Sequence, residues 1–348
     1  MVRPDNVGDV LLAGPAIRAV AAGADRVTLW CGPNGRAAAE LLPGVDAIVE
    51  HPADWIDPDA RVVDRRRTLG LVDDLAGRGI DQAVVLTSFH QSPLPTALLL
   101  RLAGVPTIAA ISEDFPGALL DVRHRVADDV HEVERSLSLV ATLGHRLPRG
   151  DHGGLEITRR SAADRRPDAA RVIVHPGASA PARTWTPERY RSLVTALGTA
   201  GWEVTVTGGP GERALTARIA AGLDAFDAGG TTTLAALADL LAGSAALVTG
   251  NTGPAHLAAA VGTPVVSLFA PTVPAVRWRP WGVPNVLLGD HAIACAGCRA
   301  IRCPLPGHPC LDAVTTDDVI GALRRVVSDR DRTLPPTVVG RPHPVVAR

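Results

Sequence analysis

The chain contains no lysine: all 35 of its basic residues are arginine. Any side chain that grips an anion through a permanent positive charge must therefore be a guanidinium, forked for two-point contact. Positive charge is not in excess either, since the net charge is −1 at pH 7. That balance argues against nucleic acid as a partner. No apolar run reaches the roughly 18 residues of a membrane span, because Arg, Asp, Gly or Pro interrupts each one. The N-terminus lacks the charged-then-apolar pattern and small-residue cleavage site of a secretory signal. A cytoplasmic protein is the expectation. Also missing are short repeats, a Gly-x-Gly-x-x-Gly after a first strand, and a Walker sequence. A dinucleotide dehydrogenase and a P-loop kinase lose ground accordingly.

What is present is 348 residues, 46% of them apolar, enough for two domains with separate cores. Strand and helix patterns alternate along the chain. Strands are predicted at Arg26–Cys31, Ala47–Glu50, Gln82–Thr87 and Thr107–Ile111, with helices at Val10–Ala22, Gly35–Leu42, Asp59–Arg78, Pro95–Ala103 and His131–Leu143. Arg146–Asp168 is rich in Gly, Asp and Arg and reads as a linker. Alternation then restarts with strands Arg171–His175, Glu203–Thr207, Ala245–Val248 and Val265–Phe269. The matching helices are Pro187–Ala200, Glu212–Ala221, Leu234–Leu241, Ala255–Val261 and Thr316–Val327, the last with Thr315 as a plausible N-cap. Such repetition implies parallel, doubly wound α/β sheets. The expected division is a domain over 1–150, a linker over 151–169, a second domain over 170–330 and a disordered tail over 331–348. Only Met1-Val2 precede the first polar turn where an apolar strand is expected, so the first strand reads as truncated and the natural start as lying several residues upstream.

Several turns follow predicted strands, where ligand crevices form in open parallel sheets. Gly8-Asp9 puts a carboxylate in the first turn of a helix, where an anion is favoured and could take a proton from a hydroxyl. A plain N-cap aspartate is the alternative. His175-Pro-Gly-Ala-Ser179 leads to Arg183 and Trp185: small residues for close backbone approach, a hydroxyl and a guanidinium suited to a diphosphate, or simply a loop with an exposed arginine. Gly208-Gly209 and Glu212 could seat a nucleotide and its ribose hydroxyls, although Glu212 also suits the first turn of a helix. Thr249-Gly-Asn251-Thr252-Gly253-Pro254 joins a buried strand to an Ala-rich helix, a geometry that suits a phosphate or merely caps the helix. Cys295, Cys298, Cys303 and Cys310 crowd into 16 residues and are candidates for a structural zinc or iron–sulfur site, with packing thiols or a disulfide pair as the alternatives.

Together these motifs resemble glycosyltransferase family 9, the heptosyltransferase-like enzymes. The pieces that carry the resemblance are Arg3-Pro-Asp-Asn-Val-Gly-Asp-Val-Leu-Leu-Ala-Gly-Pro-Ala16, His175-Pro-Gly-Ala-Ser179 with Arg183-x-Trp185, Gly208-Gly-x-x-Glu212, Thr249 to Ala258, and Ser267-Leu-Phe-Ala-Pro-Thr272. The resemblance implies a GT-B fold, two Rossmann-like domains facing a cleft, with the acceptor side in the first domain and the donor side in the second. It implies inverting transfer of a sugar, heptose or a relative, from a nucleotide-diphosphate sugar such as ADP-heptose. The acceptor would be a hydroxyl of a cell-surface glycan, glycolipid or metabolite, as in lipopolysaccharide core biosynthesis. No metal would be essential for transfer, and membrane contact would be at most peripheral, at the inner membrane face. Asp9 matches the proposed base of the family. Ser179, Arg183, Gly208, Gly209, Glu212, Asn251, Thr252 and Gly253 match its donor-binding positions. Asn251 stands where heptosyltransferases commonly have Asp, which bears on the choice of sugar. A C-terminal cysteine cluster is frequent in the family. A nucleotide-sugar 2-epimerase and a non-catalytic sugar-nucleotide-binding protein are the competing assignments.

Overall fold

The computed structural model describes residues 1–56, 62–159 and 168–330, which divide into two compact units, 1–153 and 154–330. The predicted tail, residues 160–167 of the predicted linker and the first residues of the predicted 59–78 helix that fall within 57–61 lie outside the described residues.

The first unit contains strands β1 (Val2–Arg3), β2 (Thr28–Cys31), β3 (Ala47–Glu50), β4 (Gln82–Val85), β5 (Thr107–Ile111) and β6 (Val122–His124). They form one parallel sheet in the order β3-β2-β1-β4-β5-β6. Its helices are α1 (Val7–Leu12), α2 (Gly14–Ala21), α3 (Arg36–Ala39), α4 (Arg65–Ala76), α5 (Leu94–Leu102) and α6 (Glu132–Thr142). Alternate strand residues explain the layering. Val2, Trp30, Val49, Ala83, Val85, Ile108 and Ala110 form one apolar face, which packs against Leu71, Val72 and Leu75 of α4 and Ala97, Leu99 and Leu100 of α5. The opposite face supplies Leu29, Val84 and Ala109, also buried, and α6 lies against β5. Strands buried on both faces need near-continuous apolar sequence, which is what made the central ones visible.

β1 has only two residues, yet it sits at the centre of the sheet, with Val2 paired to Trp30 on one side and Val85 on the other. The Met1 amino group donates to the Thr28 carbonyl at 2.9 Å. The helix predicted over Gly35–Leu42 is shorter, a 3-10 turn at Pro33–Gly35 followed by α3.

The second unit repeats the plan. Strands β7 (Asp168–His175), β8 (Glu203–Val206), β9 (Ala225–Asp227), β10 (Ser244–Gly250), β11 (Val265–Leu268) and β12 (Asn285–Leu288) form a parallel sheet in the order β12-β11-β10-β7-β8-β9. Helices are α7 (Pro187–Thr199), α8 (Arg213–Ala220), α9 (Leu234–Ala242), α10 (Gly253–Ala260), α11 (Ala275–Trp278), α12 (Pro309–Asp312) and α13 (Thr316–Ser328). Val172, Val174, Ala246, Val248, Val266 and Leu268 meet Leu193 and Leu197 of α7 and Val319, Leu323 and Val326 of α13 in one core. α9 and α10 pack against β10. Thr315 caps α13 as expected: its hydroxyl accepts the Asp318 N–H at 3.1 Å, while the Asp318 carboxylate accepts the Thr315 N–H at 2.8 Å. Among the described residues, no helix is long and apolar enough to cross a membrane.

In both sheets the strand order reverses at the centre, between β1 and β4 and between β7 and β10. Connections leave these neighbouring strands in opposite directions, opening a crevice at their carboxyl ends. In the second unit that place is held by a close backbone approach. A Cβ added to Gly250, the last residue of β10, would lie 2.4 Å from the Arg183 carbonyl oxygen. Gly250→Ala should therefore displace the Pro181–Arg183 turn and cost about 1–3 kcal/mol. Gly198, exposed on α7 with nothing within 4 Å of where a Cβ would lie, is the control. Gly198→Ala should leave stability equal or slightly higher. Urea unfolding of both variants checks this; equal midpoints would show that the approach imposes no constraint.

Candidate functional site

In the first unit the switch point is occupied by a buried guanidinium. Arg3 ends β1 and is only 2% exposed. Its Nη2 donates to Asp9 Oδ1 at 2.8 Å and to Ser88 Oγ at 3.3 Å. Its Nε lies 3.0 Å from Asp5 Oδ2 and its Nη1 lies 3.6 Å from Glu132 Oε2. Asp9 projects from the first turn of α1, Glu132 from the start of α6, and Ser88 from the turn after β4. One cation thus gathers groups from four segments. Gln91 closes the arrangement, donating from Nε2 to Asp5 Oδ1 at 2.8 Å while its Oε1 accepts the Ser88 N–H at 2.9 Å. Arg135 Nε stands 3.2 Å from Glu132 Oε1.

The electrostatics follow from burial. Desolvation alone would push the Arg3 pKa down, but Asp5, Asp9 and Glu132 more than offset it, so the net shift is upward and the charge is permanent. For Asp5, burial dominates: even with Arg3 in contact its carboxyl is pushed up to about 6, Asp9 and Glu132 adding to the rise. Asp9 is the most accessible of the three carboxylates, its side chain 20% exposed against 7% for Asp5 and 3% for Glu132. Sequence inspection singled out Asp9 but missed Arg3, Asp5 and Glu132 as its surroundings. The spacing from Arg3 to Asp9 was the local signal; Ser88 and Glu132 needed the fold.

In the second unit the predicted residues lie on the loops after β7, β8 and β10. Ser179 is exposed on a bend, and Arg183, half-buried, ends the Pro181–Arg183 turn. Asn251 is buried in the turn between β10 and α10. Thr252 is the N-cap of α10 and Gly253 its first residue, but no side chain caps the helix. Instead the Thr252 hydroxyl pairs with Thr249 Oγ1 at 3.2 Å, and Thr249 Oγ1 donates to the His175 carbonyl at 2.9 Å. The Thr249 contact ties β10 to β7 under the crevice, and His175 Nδ1, which meets Thr207 Oγ1 at 3.0 Å, ties β7 to the end of β8. Burial pushes the His175 pKa down, with Glu212 opposing only in part, so the ring is held neutral.

Gly208 is buried and Gly209 half-buried. The Gly209 N–H donates to Glu212 Oε2 at 2.7 Å, and the same oxygen stands 3.7 Å from His175 Nε2. The Glu212 carboxylate is also folded over Gly177, where an added Cβ would come within 1.9 Å of Oε1. Glu212 therefore braces the loop after β7.

The cysteine segment has a structural part in this unit. Cys295, Cys298, Cys303 and Cys310 are free thiols. Among the described residues no group of three or more His, Cys, Asp or Glu is arranged to hold a metal ion, so the zinc or iron–sulfur expectation for these four is not supported by their geometry. Burial first, and then the neighbouring cysteines, push the Cys310 thiol up to about 11, which keeps it protonated. What the segment does is clamp two site loops. The Ala182 N–H donates to the Ile301 carbonyl at 2.9 Å and His308 Nε2 donates to the Ala182 carbonyl at 2.9 Å. The Gly297 and Arg299 N–H groups donate to the carbonyls of Pro271 and Thr272 at 2.7 and 3.0 Å. Arg299 and His308 both adopt left-handed backbone, φ 55° and 53°, to make these turns.

Comparison with known proteins bears on the family and the fold. The pattern of glycosyltransferase family 9 (heptosyltransferase) matches residues 72–308. Lipopolysaccharide heptosyltransferase 1 of Pseudomonas aeruginosa is 30% identical over 332 residues, 87% of this chain and 86% of that protein. Among solved structures, E. coli ADP-heptose lipopolysaccharide heptosyltransferase II superposes with a TM-score of 0.71 at 20% identity, covering 95% of this chain and 98% of that one. The E. coli heptosyltransferase WaaC with ADP-2-deoxy-2-fluoro heptose gives 0.70 at 20% identity, covering 93% and 98%. The two six-stranded parallel sheets are thus those of the GT-B fold. With two switch-point sites in this fold and a family match over most of its length, the chain belongs to glycosyltransferase family 9 and is a glycosyltransferase.

Proposed function

We propose that this protein transfers heptose from ADP-heptose, with inversion at the anomeric carbon, to a hydroxyl of a lipopolysaccharide core acceptor. The observation that carries the assignment is the switch point of the second unit. There a guanidinium-bearing turn, Pro181–Arg183, is packed on Gly250, three residues before α10 begins. Arginine beside a helix start suits a diphosphate. The names of the solved relatives supply the ligand class, since they include ADP and an ADP-heptose analogue.

In this mechanism the second unit holds the donor. Arg183 and the first N–H groups of α10 meet the diphosphate, and Ser179 and Thr252 add hydroxyls. Gly208 and Gly209 let the nucleotide lie against backbone, and Glu212 turns toward the ribose when the nucleotide is present. Asn251 contacts the sugar through an amide, able to donate and accept. The first unit supplies Asp9 as base. The acceptor oxygen forms its bond to the anomeric carbon while the bond from that carbon to the diphosphate oxygen breaks. The electron pair of the broken bond leaves with ADP, whose negative charge Arg183 and the helix N–H groups stabilise, and the hydroxyl proton passes to the Asp9 carboxylate. A glycolipid acceptor would be met at the inner membrane face by a peripherally bound enzyme.

Two variants separate the roles. Asp9→Ala should lower turnover of ADP-heptose by about 10³-fold and leave the calorimetric affinity for ADP unchanged. Arg183→Ala should weaken ADP binding by about tenfold or more. Near-normal turnover in the first variant would remove Asp9 as the base; unchanged ADP affinity in the second would remove Arg183 as the diphosphate clamp.

A further inference from the structure

The transfer reaction assigns a job to Asp9, but not to the charged groups that surround it. Among the described arginines of the first unit Arg3 is the most deeply buried, 2% exposed against 5% for Arg135 and 8% for Arg18. Taking a guanidinium out of water costs several kcal/mol unless carboxylates and hydrogen bonds surround it. A sheet of this kind needs only an apolar residue at the end of its central strand. The chain instead has Arg3 there and encloses it with Asp5, Asp9 and Glu132.

The three carboxylates are not equivalent. Asp5 and Glu132 are buried and anchored, Asp5 by Gln91 and Glu132 by Arg135. Asp9 alone among them is partly open to solvent. Its Oδ1 is fixed by Arg3 Nη2, and the same nitrogen reaches Ser88 Oγ. Ser88 lies in the turn after β4, on the other side of the switch point from α1. Arg3 therefore holds the one accessible carboxylate from within, at the place where the strand order reverses.

We propose that Arg3 is a positioning residue for the transfer reaction: anchored by Asp5 and Glu132, it fixes the orientation of the Asp9 carboxylate, and Asp5 sets how firmly Arg3 is anchored. This rests on the assignment of Asp9 as the base. The groups that face Asp5 are Arg3, Asp9 and Glu132, together with the hydrogen bond from Gln91; Arg135 acts through Glu132. Because burial pushes the Asp5 carboxyl up to about 6, Asp5 is neutral below that pH and anionic above it. When ionised it completes the ion pair with Arg3 Nε, 3.0 Å away, and holds the guanidinium against Asp9. When neutral it holds Arg3 less firmly. The sign is therefore a rate that rises as pH increases through about 6.

The test uses the purified protein, ADP-heptose as donor and heptose-free lipopolysaccharide core as acceptor, with kcat and KM measured across pH. Arg3→Met should lower kcat by about 100-fold while the KM for ADP-heptose changes by less than about threefold. Arg3→Lys, which keeps the charge but not the fork, should recover about tenfold of that loss. The wild type should show a roughly threefold step in kcat near pH 6, and Asp5→Asn should fold, remain active and lose that step. If Arg3→Met does not fold, the Lys and Asn variants decide the matter. With Asp9→Ala inactive, wild-type kcat in Arg3→Lys together with an unchanged step in Asp5→Asn would overturn the proposal. Full turnover in Asp9→Ala, or no transfer by the wild type, would instead overturn the assignment beneath it. A kcat loss in Arg3→Lys with the step abolished in Asp5→Asn supports it.

Discussion

The structure depends on one topological constraint, applied twice. Every strand pair is parallel, so all carboxyl ends in a sheet lie along one edge. The order then reverses at β1 and β4 in one sheet and at β7 and β10 in the other. Loops leaving those strands diverge, and backbone groups at their ends have no strand to pair with. Each unit fills that gap differently. The first brings in a guanidinium and three carboxylates. The second brings small residues, hydroxyls and a helix start. Acid–base chemistry suits the former, and anion binding suits the latter.

The two sites also differ in how they are held. Around Arg3, position is electrostatic: desolvation of the cation is offset by carboxylates that must stay close to it. Around Arg183, position is steric. Gly250 admits the Arg183 carbonyl, and the segment carrying the cysteines grips Ala182 from the other side through Ile301 and His308. The four cysteines lie in or beside the segment that forms this clamp, with Cys310 buried as a protonated thiol. Glu212 and His175 complete the support below the same loop.

Much of the fold was legible in the sequence because central parallel strands are apolar on both faces. Val172-Ile173-Val174 and Ala245–Val248 declared themselves, as did Thr315 as an N-cap. The strands that went unread, β6, β9 and β12, are all at sheet edges. Edge strands pair on one side and are at most half-buried, so Val122–His124 and Ala225–Asp227 carry no continuous apolar run and Asn285–Leu288 only the short Val286-Leu287-Leu288. The site was legible where its residues are local. The turn residues from Thr249 to Pro254 announced a helix start. The partners of Arg3 were hidden because Ser88 lies 85 positions away, brought close only by the pairing of β1 with β4. Glu212, read in the sequence as a ribose contact or a first-turn acid, lays its carboxylate against Gly177 and accepts the Gly209 N–H, contacts that spacing did not announce. A side chain's direction is set by packing that spacing alone does not encode.

The proposed transfer is a direct displacement, in which a base in the first unit activates the acceptor as ADP departs from the donor. Its most direct test is the anomeric configuration of the newly formed glycosidic bond, read by proton NMR on product made from ADP-heptose of known configuration. Direct displacement gives the opposite configuration to that of the donor. Retention of the donor's configuration would contradict it.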